Sequence, residues 1–107
     1  MIYHLATKED WERALQKGVY QTASLKSEGF IHFSTQSQMI NSADLFFAGY
    51  AELVVLEVPD KNVAHLLKWE PAADRDELFP HVYGALPLEL IADTHILMRI
   101  GDRWERV

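Results

Sequence analysis

Apolar positions change their period along the chain, and each change marks an element. Met1 to Leu5 reads as a first strand, and Thr7-Lys8-Glu9-Asp10 follows it. The threonine can cap a helix there, and the acids suit the positive end of that helix. The helix is expected from about Lys8 to Lys17, with Trp11, Ala14 and Leu15 spaced three and four apart and Gly18 supplying a left-handed stop. Val19 to Gln21 extends briefly, Ser24 to Gly29 is rich in turn residues, and Phe30 to Ser34 forms a short strand. A second main helix opens on Thr35-Gln36-Ser37-Gln38, a Thr-x-x-Gln capping pattern. It carries Met39, Ile40, Ala43, Phe46 and Phe47 at helical spacing before Gly49.

Glu52 to Val58 is the clearest strand. Its Leu53-Val54-Val55-Leu56 run is apolar on both faces, as a central strand covered on two sides requires, and Pro59-Asp60 ends it. Leu66 to Glu70 reads as extended, and the polar, acidic stretch Pro71 to Leu78 as an exposed loop over a cleft. Pro87 to Leu90 suits one helical turn. Ile91 to Ile100 reads as a strand that Gly101-Asp102 folds into a hairpin with Arg103 to Val107. The pattern predicts one α/β (α+β) domain over residues 1–107, with a twisted mixed or antiparallel sheet and two main helices.

Composition narrows the class. With 49% hydrophobic and 24% charged residues, three tryptophans, five phenylalanines and four tyrosines, the chain can bury a core of its own. Absence of cysteine excludes disulfides, thiolate zinc sites and thiol nucleophiles, and fits a reducing compartment. The start of the chain lacks a secretory pattern, and no apolar run approaches the roughly 20 residues that cross a bilayer, so a cytoplasmic protein without membrane partners is expected. A net charge of -6 without a Lys/Arg cluster argues against non-specific nucleic-acid binding and leaves room for a single nucleotide in a pocket. Oligomeric state is not legible.

Candidate chemistry lies where polar side chains interrupt apolar strands. In Gly29-Phe30-Ile31-His32-Phe33-Ser34-Thr35, alternation puts Phe30, His32 and Ser34 on one face and Ile31 and Phe33 on the other. His4 in the first strand and His81 in Phe79-Pro80-His81-Val82-Tyr83-Gly84 repeat the motif. The expected cleft is lined by His4, His32, Ser34, Glu70, His81 and Tyr83. A second reading stands beside this one. His4 and His32 can tie neighbouring strands through backbone carbonyls, Ser34 and Thr35 can serve a helix cap, and Glu70 can be a solvated acid. Trp11 and Trp69 read as core residues, and His65 and His95 as surface or packing residues. His4, His32, His81 and Glu70 would make a histidine-rich metal set, but the usual ligand spacings are missing and no metal is assigned. Ser34 lacks the turn of a serine hydrolase.

The blocks Ile2-Tyr3-His4, Gly29 to Thr35, Trp69-Glu70 and Glu77 to Gly84, taken in order, resemble the domain-of-unknown-function family 952 from Ile2 to about Ile91. That resemblance implies a fold similar to the ADP-ribosyltransferases and, with it, NAD as a possible ligand. On that pattern His4 contacts a ribose hydroxyl, Phe33-Ser34-Thr35 shapes the nicotinamide pocket with His32 beside it, and a glutamate stabilises the cation-like centre as the glycosidic bond breaks. Glu70 is the first candidate for that acid and Glu77 the second. The implied assignment is Glu70 and His32 as catalytic, with His4, Ser34, Thr35, His81 and Tyr83 binding a nucleotide or NAD-like ligand. The implied activity is transfer or hydrolysis of an ADP-ribosyl-type group. A non-catalytic small-molecule module and a structural or interaction domain are the alternatives.

Overall fold

A computed structural model describes residues 1–72 and 75–107. In chain order the elements are β1 (Ile2–Ala6), α1 (Lys8–Lys17), β2 (Val19–Tyr20), α2 (Ala23–Ser27), β3 (Ile31–His32), α3 (Gln36–Phe46), β4 (Glu52–Val58), β5 (Leu67–Pro71), β6 (Leu78–Val82), β7 (Leu86–Pro87), β8 (Asp93–Ile100) and β9 (Arg103–Arg106). Short 3₁₀ turns lie at Asp60–Asn62 and Leu88–Leu90. The strands form three antiparallel sheets rather than one: β1-β4-β8-β9, β2-β7 and β3-β6-β5. The result is a single α+β domain.

Local chemistry explains the helices. Thr7 accepts from the Asp10 amide and Gly18 closes α1 at φ 79°, where a side chain would be strained. Thr35 and Gln38 form a reciprocal capping box on α3. That helix stops at Phe46, with Phe47 as its cap bonding the Ala43 carbonyl, and does not run on to Gly49. The Ser24–Gly29 segment overlaps the short helix α2, and Ser24 donates to the Phe30 carbonyl beyond it.

Strand β4 is central and is buried on both faces from Leu53 to Leu56, as its apolar run requires. Register with β1 sorts the two faces. Ile2, Ala6, Val54, Leu56 and Val58 pack on Ala14 of α1, Tyr20, Ile31 and Val82. Leu5, Leu53, Val55, Leu97 and Trp104 pack under Met39 and Ala43 of α3. The two main helices therefore cover opposite faces of the same sheet. Leu15 and Phe46 point away from these cores and are exposed. Trp69 is also exposed rather than core, because β5 is the edge strand of its sheet and offers that side chain no covering layer. Trp11 packs on the first core, as expected. His95 is a packing residue whose Nδ1 lies 2.7 Å from Glu57, and His65 is exposed.

The predicted strand Phe30–Ser34 shrinks to the two residues of β3 plus one isolated bridge, Tyr3 with Ser34. Of the expected Pro71–Leu78 loop, Pro71 belongs to β5 and Leu78 to β6, and residues 73 and 74 lie outside the described residues. Among the described residues no helix is long and apolar enough to cross a membrane.

Two substitutions separate core from cap. Leu56→Ala, at a fully buried site, is expected to cost about 2–5 kcal/mol of unfolding free energy. Thr35→Ala is expected to cost about 1 kcal/mol. Urea unfolding followed by circular dichroism checks both; a larger loss at Thr35 than at Leu56 would contradict the packing described.

Candidate functional site

The site originates in a ladder that stops. Tyr3 and Ser34 exchange both backbone hydrogen bonds, at 2.8 and 2.7 Å. The next antiparallel pair would be Leu5 with His32, but no backbone bond joins them. The His32 carbonyl instead accepts from Nδ1 of the His4 imidazole. Beyond that point β1 and the β3 segment separate. A cavity of about 680 Å³ opens between them, lined on one wall by Phe30, Phe33, Phe79 and His81 and closed by Ser42, Phe46 and Phe47 of the α3 end. Its size suits a small-molecule ligand.

His4 is buried and fully paired. A carbonyl only accepts, so Nδ1 carries the proton, and neutral Nε2 accepts from the Tyr20 hydroxyl at 2.6 Å. Burial pulls the His4 pKa down to about 4, and burial likewise raises that of Tyr20. The pair is thus a neutral donor chain, Tyr20 to His4 to the His32 backbone. Both nitrogens of His4 are spent, which is the strand-tying arrangement; a ribose hydroxyl would have to displace Tyr20 to reach the ring.

His32 and His81 face each other across β3 and β6 as register partners, with ring centroids 5.3 Å apart. His32 is half exposed and its Nε2 lies 2.7 Å from Glu28. His81 is 4% exposed and Phe30 stacks on it at 4.0 Å. Glu70 and His81 are diagonal neighbours on one face of β5 and β6, because Lys68 is the direct partner of His81. His81 Nδ1 donates to Glu70 Oε1 at 2.9 Å, and Tyr83 donates to the same oxygen. The Tyr83 hydroxyl first, and His81 second, hold the Glu70 carboxyl below the usual carboxylate range; Glu70 in turn raises the Tyr83 phenol. With the proton fixed on Nδ1, the neutral ring presents a lone pair at Nε2. That atom is buried and has no partner among the described residues.

The structure brings His4, His32, Ser34 and His81 to the cavity wall. Glu70 and Tyr83 stand behind His81 and do not line it. Thr35 caps α3. Glu77, the second candidate acid, is tied to Gln38 at 2.9 Å. Tyr20, Glu28, Ser42 and Arg75 were not expected at the site. Of these only Ser42 left a trace in the sequence, a hydroxyl beside the buried Met39–Ala43 face of α3. Among the described residues no group of three or more histidines and carboxylates is arranged to hold a metal ion.

Fold and site together define a small α+β domain with a ligand-sized cavity set at the parting of two sheets. The chain belongs to the family described as protein of unknown function (DUF952), whose model matches residues 5–94. It is similar to protein CC0527 from Caulobacter crescentus. The crystal structure of CC0527 superposes with a TM-score of 0.87 at 29% identity, covering 97% of this chain and 92% of that one. The solution NMR structure of CC0527 gives 0.83 at 30% identity, covering 96% and 89%. No curated protein matches the chain.

Two outcomes follow from the pairings. The folded state keeps His4 neutral down to about pH 4, whereas the unfolded imidazole protonates near 6.5. Between those values the unfolded chain binds more protons, so stability falls as pH drops from 6.5 to 4, by roughly 3 kcal/mol in all. His4→Gln is expected to remove that part of the pH profile in urea titrations at successive pH values; an unchanged profile would assign it to other groups. Tyr83→Phe is expected to move the Glu70 carboxyl titration upward, read from its side-chain carbon signal by NMR. No movement would leave Tyr83 without the effect ascribed to it.

Proposed function

We propose that the cavity binds a nucleotide-class small molecule, NAD or an ADP-ribose derivative, and that the protein transfers or hydrolyses an ADP-ribosyl-type group. The observation that carries this reading is His81 Nε2, a buried acceptor without a partner among the described residues, on the wall of an aromatic cavity. A buried polar atom of that kind needs a partner, and a ligand hydroxyl supplies one. Phe30, Phe33 and Phe79 offer flat apolar surface to a base or nicotinamide ring. The resemblance to the ADP-ribosyltransferase fold agrees with a cleft opening beside the first strand.

The chemistry assigned to Glu70 changes form on this reading. Because Glu70 stands behind His81, it acts as a positioning residue, holding the tautomer and balancing charge on the ring. His81 is the group that meets the reactants. As the C1′–N bond of NAD breaks, its electron pair leaves with neutral nicotinamide. Water or an acceptor hydroxyl bonds to C1′ and gives its proton to His81 Nε2. His32 flanks the same wall, and Ser34 is within reach of the ligand.

A non-catalytic binding module is the second reading, favoured by His4 and His32 both having partners within the protein. Titration of isotope-labelled protein with NAD, ADP-ribose and a 2′-phosphorylated nucleotide, with nicotinamide release followed in parallel, separates the two. Saturable shifts at Phe30, Ser34 and His81, with release slowed on the order of 100-fold by Glu70→Gln while binding persists, support transfer. Shifts without release leave the binding module, and no shifts at millimolar ligand reject both.

A further inference from the structure

We propose that Arg75 and Ser42 form an oxyanion subsite in the cavity and that its ligand is a phosphoryl group. The inference rests on the nucleotide reading and narrows it to phosphorylated ligands.

Arg75 is the one lysine or arginine among the described residues lining the cavity. Its Nη1 donates to Ser42 Oγ at 3.0 Å, and its guanidinium lies over the Phe79 ring, 4.0 Å from the centroid. The planar head is therefore fixed between an aromatic floor and a hydroxyl. Nη2 is buried and has no hydrogen-bond partner among the described residues, and no described carboxylate lies within ion-pair distance of Arg75. A guanidinium nitrogen buried without a partner is costly until an acceptor answers it.

The two carboxylates that line the same cavity do not serve. Asp10 is held by Arg13 at 2.7 Å and Glu28 by His32 at 2.7 Å. In a chain of net charge -6, the cavity thus keeps its acids engaged and leaves its cation open.

Ser42 supplies the second donor. Its Oγ accepts twice, from Ser34 Oγ at 3.3 Å and from Arg75 Nη1. Its own proton has no acceptor among the described residues, although the side chain is 93% buried, being 7% exposed. The Ser42 hydroxyl and Arg75 Nη2 are adjacent donors held by one hydrogen bond. That pair matches two oxygens of one phosphoryl group, the bidentate geometry for which guanidinium is suited.

The test titrates wild-type, Arg75→Gln, Arg75→Lys and Ser42→Ala proteins with inorganic pyrophosphate, ADP-ribose, adenosine and succinate, reading the backbone amide signals of residues 34, 42 and 79 by NMR. Pyrophosphate and ADP-ribose are expected to bind saturably. Arg75→Gln should weaken both on the order of 10- to 100-fold. Arg75→Lys should recover only part, and adenosine binding should be the same in all four proteins. Equal binding of pyrophosphate and ADP-ribose by wild type and Arg75→Gln overturns the subsite while leaving the cavity reading intact if adenosine binds. Tighter binding of succinate than of pyrophosphate overturns the phosphoryl assignment. No binding of any probe overturns both inferences together. Unchanged amide spectra of the variants away from residues 42 and 75 show that they fold, and Ser42→Ala provides the second, independent arm.

Discussion

The hydrogen bond from His4 Nδ1 to the His32 carbonyl replaces what would otherwise be a backbone bond from Leu5, and the shape of the molecule depends on that exchange. A continued ladder would weld β3 to β1 and make one sheet of five or more strands. Because the imidazole takes the carbonyl, the pairing with β1 ends after the Tyr3–Ser34 bridge, while β3 keeps β6 on its other edge. The opening left behind is the cavity. Tyr20 completes the arrangement by donating to Nε2, so the histidine that parts the sheets is satisfied at both nitrogens and needs no charge. Its lowered pKa comes chiefly from burial, since a charged imidazolium would be cut off from water there.

Elements whose cause is local were legible from the sequence. Thr7 with Gly18, Thr35 with Gln38 and the Gly101-Asp102 hairpin each act within a few residues, and the structure realises all of them. The apolar run of β4 likewise announced a strand covered on both faces. What depended on distant pairing was not legible. Alternation puts His32 and Ser34 on one face and Phe33 on the other, yet all three line the cavity, and only the register with β1 and β6 shows that the strand is cut short. Glu70 was noticed as an acid; that it stands behind His81 follows from a β5–β6 register that no local pattern encodes. Arg75 sits in a polar, acidic stretch where one cation carries no periodic signal at all.

The same physical criterion, whether a buried polar atom has a partner, divides the histidines by role. His4 has two partners and a structural task. His32 is half exposed, and water can satisfy what Glu28 does not. His81 combines near-complete burial, a tautomer fixed by an acid, and a second nitrogen cut off from solvent without a partner among the described residues. A merely structural histidine in that place would be costly: desolvation of an unpaired acceptor disfavours the fold, and an apolar residue of similar size would pack there without the penalty.

Arg75 and Ser42 follow the same logic elsewhere on the cavity lining, with the sign reversed. They present unused donors where His81 presents an unused acceptor. A ligand that answers both must carry an anionic group and a hydroxyl or amide proton, with apolar surface for the phenylalanines. A free metal ion meets neither demand at Arg75, and a purely apolar ligand leaves both sets unpaired. The polar atoms left over by folding therefore constrain the ligand more tightly than the size of the cavity does. On the proposed reading that ligand is a nucleotide, with its phosphate at Arg75 and its ribose hydroxyls toward the imidazole.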